Sequence, residues 1–353
     1  SQGNANIFGS LIKTIPGAEQ QLKGESAGRI NILFLGMRGE GVTGGGLLAD
    51  TIMVLSIHPK KDDTDTSKVS LISIPRDTYV TVPGRNEQRK INAVYALGEE
   101  RALHKGGIED MRTIVGQVTG LDIPYAVTIN FQGFKDLVNA VGGVTVHLDQ
   151  PFEEGVQFRG LPGRCDGLKY VIPSGKFEAK KVKNKKTGTV TAYRHYELCY
   201  EKMTAAVAND LECGGDFKLP VGDNMLNGDK ALCYVRSRDA TSDFARACRE
   251  HEVINLIRTK ALSLGTLTDF SKVNTILDSL GNNVSTNMEA WEMKHLFDIY
   301  QKIGEVKINQ KVLEDSEEGL LYAPPQKPES GYILLPRGEN YDRIHELFQN
   351  SLN

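Results

Sequence analysis

INILFLG (Ile30 to Gly36), TIMVLSI (Thr51 to Ile57) and VSLISI (Val69 to Ile74) decide how this chain folds. Each is a short run of β-branched and large apolar residues bounded by glycine, proline or charge, which is how a strand covered on both faces reads. YAVTIN (125–130) and VTVHL (144–148) extend the series. Between them, Ile91 to Arg101, Ile108 to Thr119 and Phe131 to Ala140 carry apolar residues at helical spacing, each followed by a glycine. Strands alternating with helices predict an α/β domain whose helices cover both faces of a central sheet.

The regular pattern stops at residue 151. Residues 151–217 are rich in glycine, proline and lysine and contain three of the five cysteines, Cys165, Cys199 and Cys213. They read as a β-rich insertion. Lys176, Lys180, Lys181, Lys183, Lys185 and Lys186 flank Thr187-Gly188, the composition of a solvated hairpin tip. The regular pattern resumes at Phe217, with helices expected over 244–264, 270–280 and 288–303 and a terminal helix over Tyr341 to Leu352. The expected organisation is a linker over 1–27, a main α/β domain over 28–304 containing the insertion, and a C-terminal segment, 305–353, packed on the core.

Composition narrows the function classes. The chain has 353 residues, 40% apolar and 25% charged, with a formal net charge of −3. That suffices for one large core and provides no global basic field for nucleic acid. No run approaches the ~20 apolar residues of a membrane span. Cys165, Cys199, Cys213, Cys233 and Cys248 lack CxxC spacing, so a structural zinc site is not expected. A disulfide among the first three and buried free thiols are equally open readings.

The chemistry lies in charges placed where a core is expected. In ALCYVRSRD (231–239) an apolar segment runs into Arg236 and Arg238. If that segment is extended, both guanidiniums leave the same face, a fork suited to phosphate oxygens; surface salt bridging with Asp239 or Asp243 is the plain alternative. In DFARACRE (243–250), Asp243 is a helix cap or a functional acid, and Arg246 and Arg249 share one helix face. Arg76 and Asp77 follow a buried strand, where open α/β sheets bind ligands. Asp50 opens another strand, and Lys90 and Asn92 start a helix. Gly39, Gly41 and Gly44 match G-x-G-x-x-G, but the sequence continues into LLADTIMVLSI, a strand, whereas a dinucleotide site needs a helix there.

The ordered series INILFLG, ADTIMVLSI, SLISIPRDTYV, KINAVYALG, FKDLVNAVGGVTVHL, LNGDKALCYVRSRD and DFARACRE resembles the LytR-CpsA-Psr family across about residues 28–265. The resemblance implies a three-layer α/β/α sandwich with a central mixed sheet enclosing an apolar lipid tunnel, plus the smaller β-rich insertion. It implies a magnesium-assisted phosphotransferase that moves a phospho-glycopolymer from a polyprenyl-pyrophosphate carrier to a peptidoglycan hydroxyl. Asp50 would hold the metal. Arg76, Asp77, Arg236, Arg238 and Asp243 would be catalytic, and Lys90, Asn92, Arg246 and Arg249 would bind phosphate. Location outside the cytoplasmic membrane, through an N-terminal anchor absent from this sequence, is also implied.

The chain departs from the family twice. Met37-Arg38 stands where an acid is usual after the first strand's glycine, leaving Glu40 as a substitute, and Glu250 stands where glutamine is common. A pyrophosphatase using the same cluster with water, and a non-catalytic polyprenyl-phosphate-binding regulator, are the alternatives.

Overall fold

The computed structural model describes residues 20–40, 46–60, 65–102, 106–154, 170–184, 188–200, 213, 217–237, 243–303, 306–326 and 331–353. In chain order the strands and helices are β1 (Ile30–Met37), β2 (Thr51–His58), β3 (Lys68–Ser73), β4 (Tyr79–Thr81), β5 (Gln88–Lys90), α1 (Val94–Arg101), α2 (Gly107–Thr119), β6 (Tyr125–Asn130), α3 (Phe131–Ala140), β7 (Val144–Leu148) and β8 (Phe152–Glu154). Then follow β9 (Tyr170–Asn184), β10 (Gly188–Tyr200), β11 (Phe217–Leu219), β12 (Gly222–Leu226), α4 (Gly228–Arg236), α5 (Asp243–Ser263), α6 (Phe270–Leu280), β13 (Val284–Thr286), α7 (Ala290–Ile303), β14 (Ile308–Val312), β15 (Leu321–Tyr322), β16 (Leu335–Pro336) and α8 (Asp342–Gln349).

The central sheet has six strands in the order β13-β6-β1-β2-β3-β14. β1 runs antiparallel to β2 and parallel to β6, β2 antiparallel to β3, and β3 parallel to β14, so the sheet is mixed, as expected. Because β1 and β2 are antiparallel neighbours, the glycine-rich link between them cannot be the strand-to-helix turn of a dinucleotide site. β7 was grouped with the sheet strands, but among the described residues it pairs only with β12, and its alternating burial is that of a ribbon with one wet face.

Side-chain alternation divides the sheet's apolar residues between two layers. Leu33, Leu35, Ile52, Val54, Ile72 and Ala126 pack on one face with Met111, Ile114 and Val118 of α2 and Ile344 and Phe348 of α8. The other face carries Ile30, Ile32, Ile57, Val69 and Tyr125, packed with Ile299 and Met293 of α7. Phe34, Leu55 and Val127, in the middle of this second face, are only partly buried, as is Ile129. The first layer is sealed and the second is not.

A third apolar cluster joins Val138 of α3, Val144 and Val146 of β7, Tyr234 and Val235 of α4, and Val253 of α5. Its fit is close. A Cβ on Gly228 would stand 2.3 Å from the Lys135 carbonyl oxygen, so only glycine lets α4 begin against α3. Cys213 at the end of the insertion is disulfide-bonded to Cys233 on α4, while Cys248 is a free, exposed thiol. The side chains of Cys165 and Cys199 lie outside the described residues.

The C-terminal segment supplies β14 to one sheet edge and α8 to the sealed layer. Arg29, just before β1, donates to Ser56 Oγ (3.0 Å), Ser351 Oγ (3.1 Å) and the Phe348 carbonyl (2.7 Å), placing a cation at the negative end of α8. Burial lowers the pKa of this guanidinium to about 10, which leaves it charged at neutral pH. Phe348 is fully buried, so Phe348→Ala should lower unfolding stability by about 3–5 kcal/mol through transfer and cavity terms. A denaturant midpoint unchanged from the parent chain would refute this placement of α8.

Candidate functional site

β1, β3 and β6 end, and β2 begins, at the same edge of the sheet. Asp50 immediately precedes β2, Arg76 and Asp77 follow β3, and Lys90 and Asn92 flank the turn from β5 into α1. Backbone hydrogen bonds lace these three segments together: Ala49 N to Asn92 O (2.9 Å), Asn92 N to Arg76 O (3.3 Å) and Ile91 N to Thr78 O (2.7 Å). Residues distant in sequence are therefore held by main chain, a stiffer support than side-chain packing alone.

The side chains form a charge relay across that edge. Arg76 donates through Nη1 to Asp50 Oδ1 (2.7 Å), and its Nε lies 3.6 Å from Asp77 Oδ2. Lys90 Nζ donates to Asp77 Oδ1 (2.6 Å), and Asn92 Nδ2 to Asp50 Oδ1 (3.4 Å). Asp77 is buried between its two cations, whereas Asp50 is more open, its side chain 27% exposed. Five of the residues singled out in the sequence thus converge.

The arginines come from α4 and α5. Residues 231–236, considered as an extended run, are instead helical: Asn227 caps α4 by accepting from Lys230 N (3.0 Å), and Ala231, Tyr234 and Val235 are buried at helical spacing. A short apolar run does not distinguish helix from strand by periodicity, and here the cap decides. Arg236 ends the helix with its guanidinium 4.3 Å from the centre of the Phe131 ring, a cation–π contact at the start of α3. Arg238 and the side chain of Asp243 lie outside the described residues.

Arg249 is buried and clasps α4. It donates through Nε to the Tyr234 carbonyl (2.9 Å) and through Nη2 to the Ser237 carbonyl, satisfying acceptors at the helix's negative end. Its guanidinium also lies 5.3 Å from the Phe152 ring and 5.7 Å from that of Tyr234. Arg246 lies one turn before Glu250, its Nε 3.8 Å from Oε1.

Glu250 joins the two halves. It accepts from Thr51 Oγ1 (3.0 Å), the residue after Asp50, and Gly36 makes the approach possible, since a Cβ there would stand 2.9 Å from Thr51 Cβ. Burial pushes the Glu250 carboxyl up to about 7; Arg246, Thr51 and Arg249 oppose the shift, and the charge of Asp50 adds to it. Next to it, His251 is bonded to Ser73 Oγ (2.7 Å), and burial lowers its pKa to about 4, so it is neutral at physiological pH. The sequence marked Glu250 only as a departure from the family's glutamine. Its contacts with Thr51 and Asp50 are tertiary and have no local signal.

Among the described residues no group of three or more His, Cys, Asp or Glu converges as a ready-made metal site. Asp50 is an oxygen donor of the kind magnesium accepts, and magnesium commonly takes one or two protein carboxylates and completes its shell with phosphate oxygens and water. The donor set therefore fits that ion together with a phosphorylated ligand. Glu40 is exposed, and its charge acts on Tyr95, whose hydroxyl is pushed up to about 12 first by burial, then by Glu99 and Glu40.

The fold is a mixed α/β sandwich with Asp50, Arg76, Asp77 and Lys90 gathered where β1 and β3 end and β2 begins. The chain belongs to the LytR-CpsA-Psr family, whose sequence profile matches residues 9–330. It is 25% identical to the polyisoprenyl-teichoic acid–peptidoglycan teichoic acid transferase TagU of Bacillus mycoides, over 97% of this chain and 89% of that protein. TagV of Bacillus subtilis, carrying the same activity in its name, is also 25% identical, over 92% of this chain and 64% of that protein. The fold is shared with the crystal structure of B. subtilis TagV (TM-score 0.57, 24% identity, 92% of this chain and 97% of that one). It is shared too with gbs0355 of Streptococcus agalactiae (TM-score 0.61, 21% identity, 95% and 93%) and with TagT bound to LI-WTA (TM-score 0.55, 21% identity, 99% and 97%).

A carboxyl raised from 4.5 to about 7 stays protonated in the folded state where the unfolded chain has released its proton, so stability falls as pH rises through that window. The whole effect is about 3 kcal/mol at one pKa unit per 1.36 kcal/mol. Glu250→Gln should remove it: relative to the parent, the variant gains stability between pH 4.5 and 7. Parallel stability-versus-pH curves would show that Glu250 titrates normally.

Proposed function

We propose that this protein transfers a phospho-glycopolymer from a polyprenyl-pyrophosphate carrier to a hydroxyl of peptidoglycan, assisted by magnesium, at the outer face of the cytoplasmic membrane. The observation that carries the reading is that one sheet bears both the Asp50–Arg76–Asp77–Lys90 relay at its strand ends and a partly open apolar face at Phe34, Leu55 and Val127. A polyprenyl pyrophosphate has the same two parts, an apolar chain and a charged head. The named activities of TagU and TagV favour a teichoic-acid-like polymer and a peptidoglycan acceptor. Among the described residues no helix is long and apolar enough to cross a membrane.

Phosphoryl transfer depends chiefly on positioning and charge neutralisation. Arg76, Arg236 and Arg246 bind the pyrophosphate oxygens and neutralise charge gathering on the leaving polyprenyl phosphate, with Lys90, Asn92 and Arg238 supporting. Arg249 both contributes positive potential and holds the end of α4, and hence Arg236, in place. The acceptor oxygen bonds to the glycan-bearing phosphorus as the bridging P–O bond breaks, and the hydroxyl proton passes to Asp77 or Asp243. Magnesium held by Asp50 would supply additional positive charge to the pyrophosphate. The partly open face receives the polyprenyl chain as an apolar tunnel.

The test is incubation of the protein with a synthetic polyprenyl-pyrophosphoryl oligosaccharide, peptidoglycan fragments and magnesium, with mass spectrometry of the products. Glycan phosphate joined to the fragment is the expected product. Glycan phosphate released to water would assign a pyrophosphatase, and unaltered bound lipid a carrier or regulator. Arg236→Ala should lower transfer by roughly 100- to 1,000-fold, as losing one charge-stabilising donor does, with thermal unfolding close to that of the parent. Full activity in this variant would remove Arg236 from the mechanism.

A further inference from the structure

β9 and β10 form an antiparallel ribbon that pairs with no other strand among the described residues. At about 3.3 Å per residue its 15-residue strand is about 50 Å long. Isolated two-stranded ribbons are marginally stable in water, so core folding gives no reason for such length.

Its charge is distinctive. Residues 170–200 contain seven Lys and Arg against two Glu, a formal +5 in a chain totalling −3, which leaves −8 on the rest. In register, Lys180 stands opposite Ala192, Lys181 opposite Thr191 and Lys183 opposite Thr189, while Glu178 stands opposite Arg194 and Glu197 opposite Pro173. No carboxylate occupies the cross-strand position of these three lysines. Lys181 and Lys183, two residues apart on β9, share one face of the ribbon, and a surplus of one charge on a segment favours an external ligand of the opposite sign.

The root of the insertion is fixed beside the arginines. β8 and β11, from which the chain leaves and to which it returns, pair with each other. The Phe152 ring lies 5.1 Å from that of Tyr234 and contacts Arg249, and the Cys213–Cys233 disulfide ties the returning chain to α4 three residues before Arg236.

We propose that the β9–β10 ribbon binds the polyanionic backbone of the glycopolymer, gripping repeats remote from the pyrophosphate being broken. The identity of this ligand rests on the transferase reading; the polyanion-binding character rests on the ribbon. A polymer of phosphodiesters meets net repulsion from the rest of the chain and attraction here. Its binding releases counterions and weakens as salt is raised.

The test compares the parent with a variant in which Lys176, Lys180, Lys181 and Lys183 are all changed to Gln. Calorimetry over a range of NaCl concentrations would measure binding of a soluble, multi-repeat teichoic acid and of its single-repeat fragment. The parent should prefer the long polymer, and the Gln variant should lose roughly tenfold or more of that preference along with most of its salt dependence. Changing the same four lysines to Arg should restore both, which separates charge from misfolding. Equal preference in parent and Gln variant overturns the proposal. So does a lysine dependence confined to phosphatidylglycerol vesicles, which would assign the ribbon to the membrane surface. Because no turnover is measured, lysine-dependent polymer binding in a protein that fails to transfer would refute the transferase reading and leave the ribbon's polyanion binding standing.

Discussion

Two carboxylates at one sheet edge repel each other unless a cation lies between them, and Arg76 occupies that place between Asp50 and Asp77. The rest of the site is arranged around this contact. Three backbone hydrogen bonds bring the segments carrying Asp50, Arg76 and Lys90 together, and Thr51 carries the arrangement to α5 through Glu250. The relay is balanced within itself. Mutual pairing lowers the desolvation cost of keeping so many ionic groups at the edge of a core.

The same geometry explains why the two layers of the sandwich differ. Opposite the site, Arg29 ties Ser56 and Ser351 to the end of α8, and the layer beneath α2 and α8 is fully packed. On the other face α5 reaches the sheet through polar residues, Glu250 to Thr51 and His251 to Ser73, where apolar side chains would have sealed the gap. Phe34, Leu55 and Val127 on this face are only partly buried.

Much of this was legible in the sequence. The strands at 30–37, 51–58, 68–73 and 125–130 and the helices at 107–119, 131–140 and 270–280 fall within a residue or so of their patterns, because each has strong periodicity and clear boundary residues. The hairpin flanking Thr187-Gly188 was legible from its turn composition. Three things were not. α4 was obscured because five apolar positions fit either period; β7 left the central sheet for a partner 78 residues away, at Gly222–Leu226; and Glu250 gained its role from neighbours on other elements. Pairing and electrostatics across long separations have no local signature.

The strand order has a consequence for synthesis. β6, β1, β2 and β3, the middle of the sheet, are complete by residue 130, yet their flanks, β13 and β14, begin only at residues 284 and 308. Until then a four-stranded sheet would offer two unpaired edges and one uncovered apolar face, the species that associates wrongly with its neighbours. Contacts of such long sequence separation also slow closure. A chain assembled in this order benefits from being kept unfolded until its last third is available, and its yield should depend more on the handling of the nascent chain than on the stability of the finished fold.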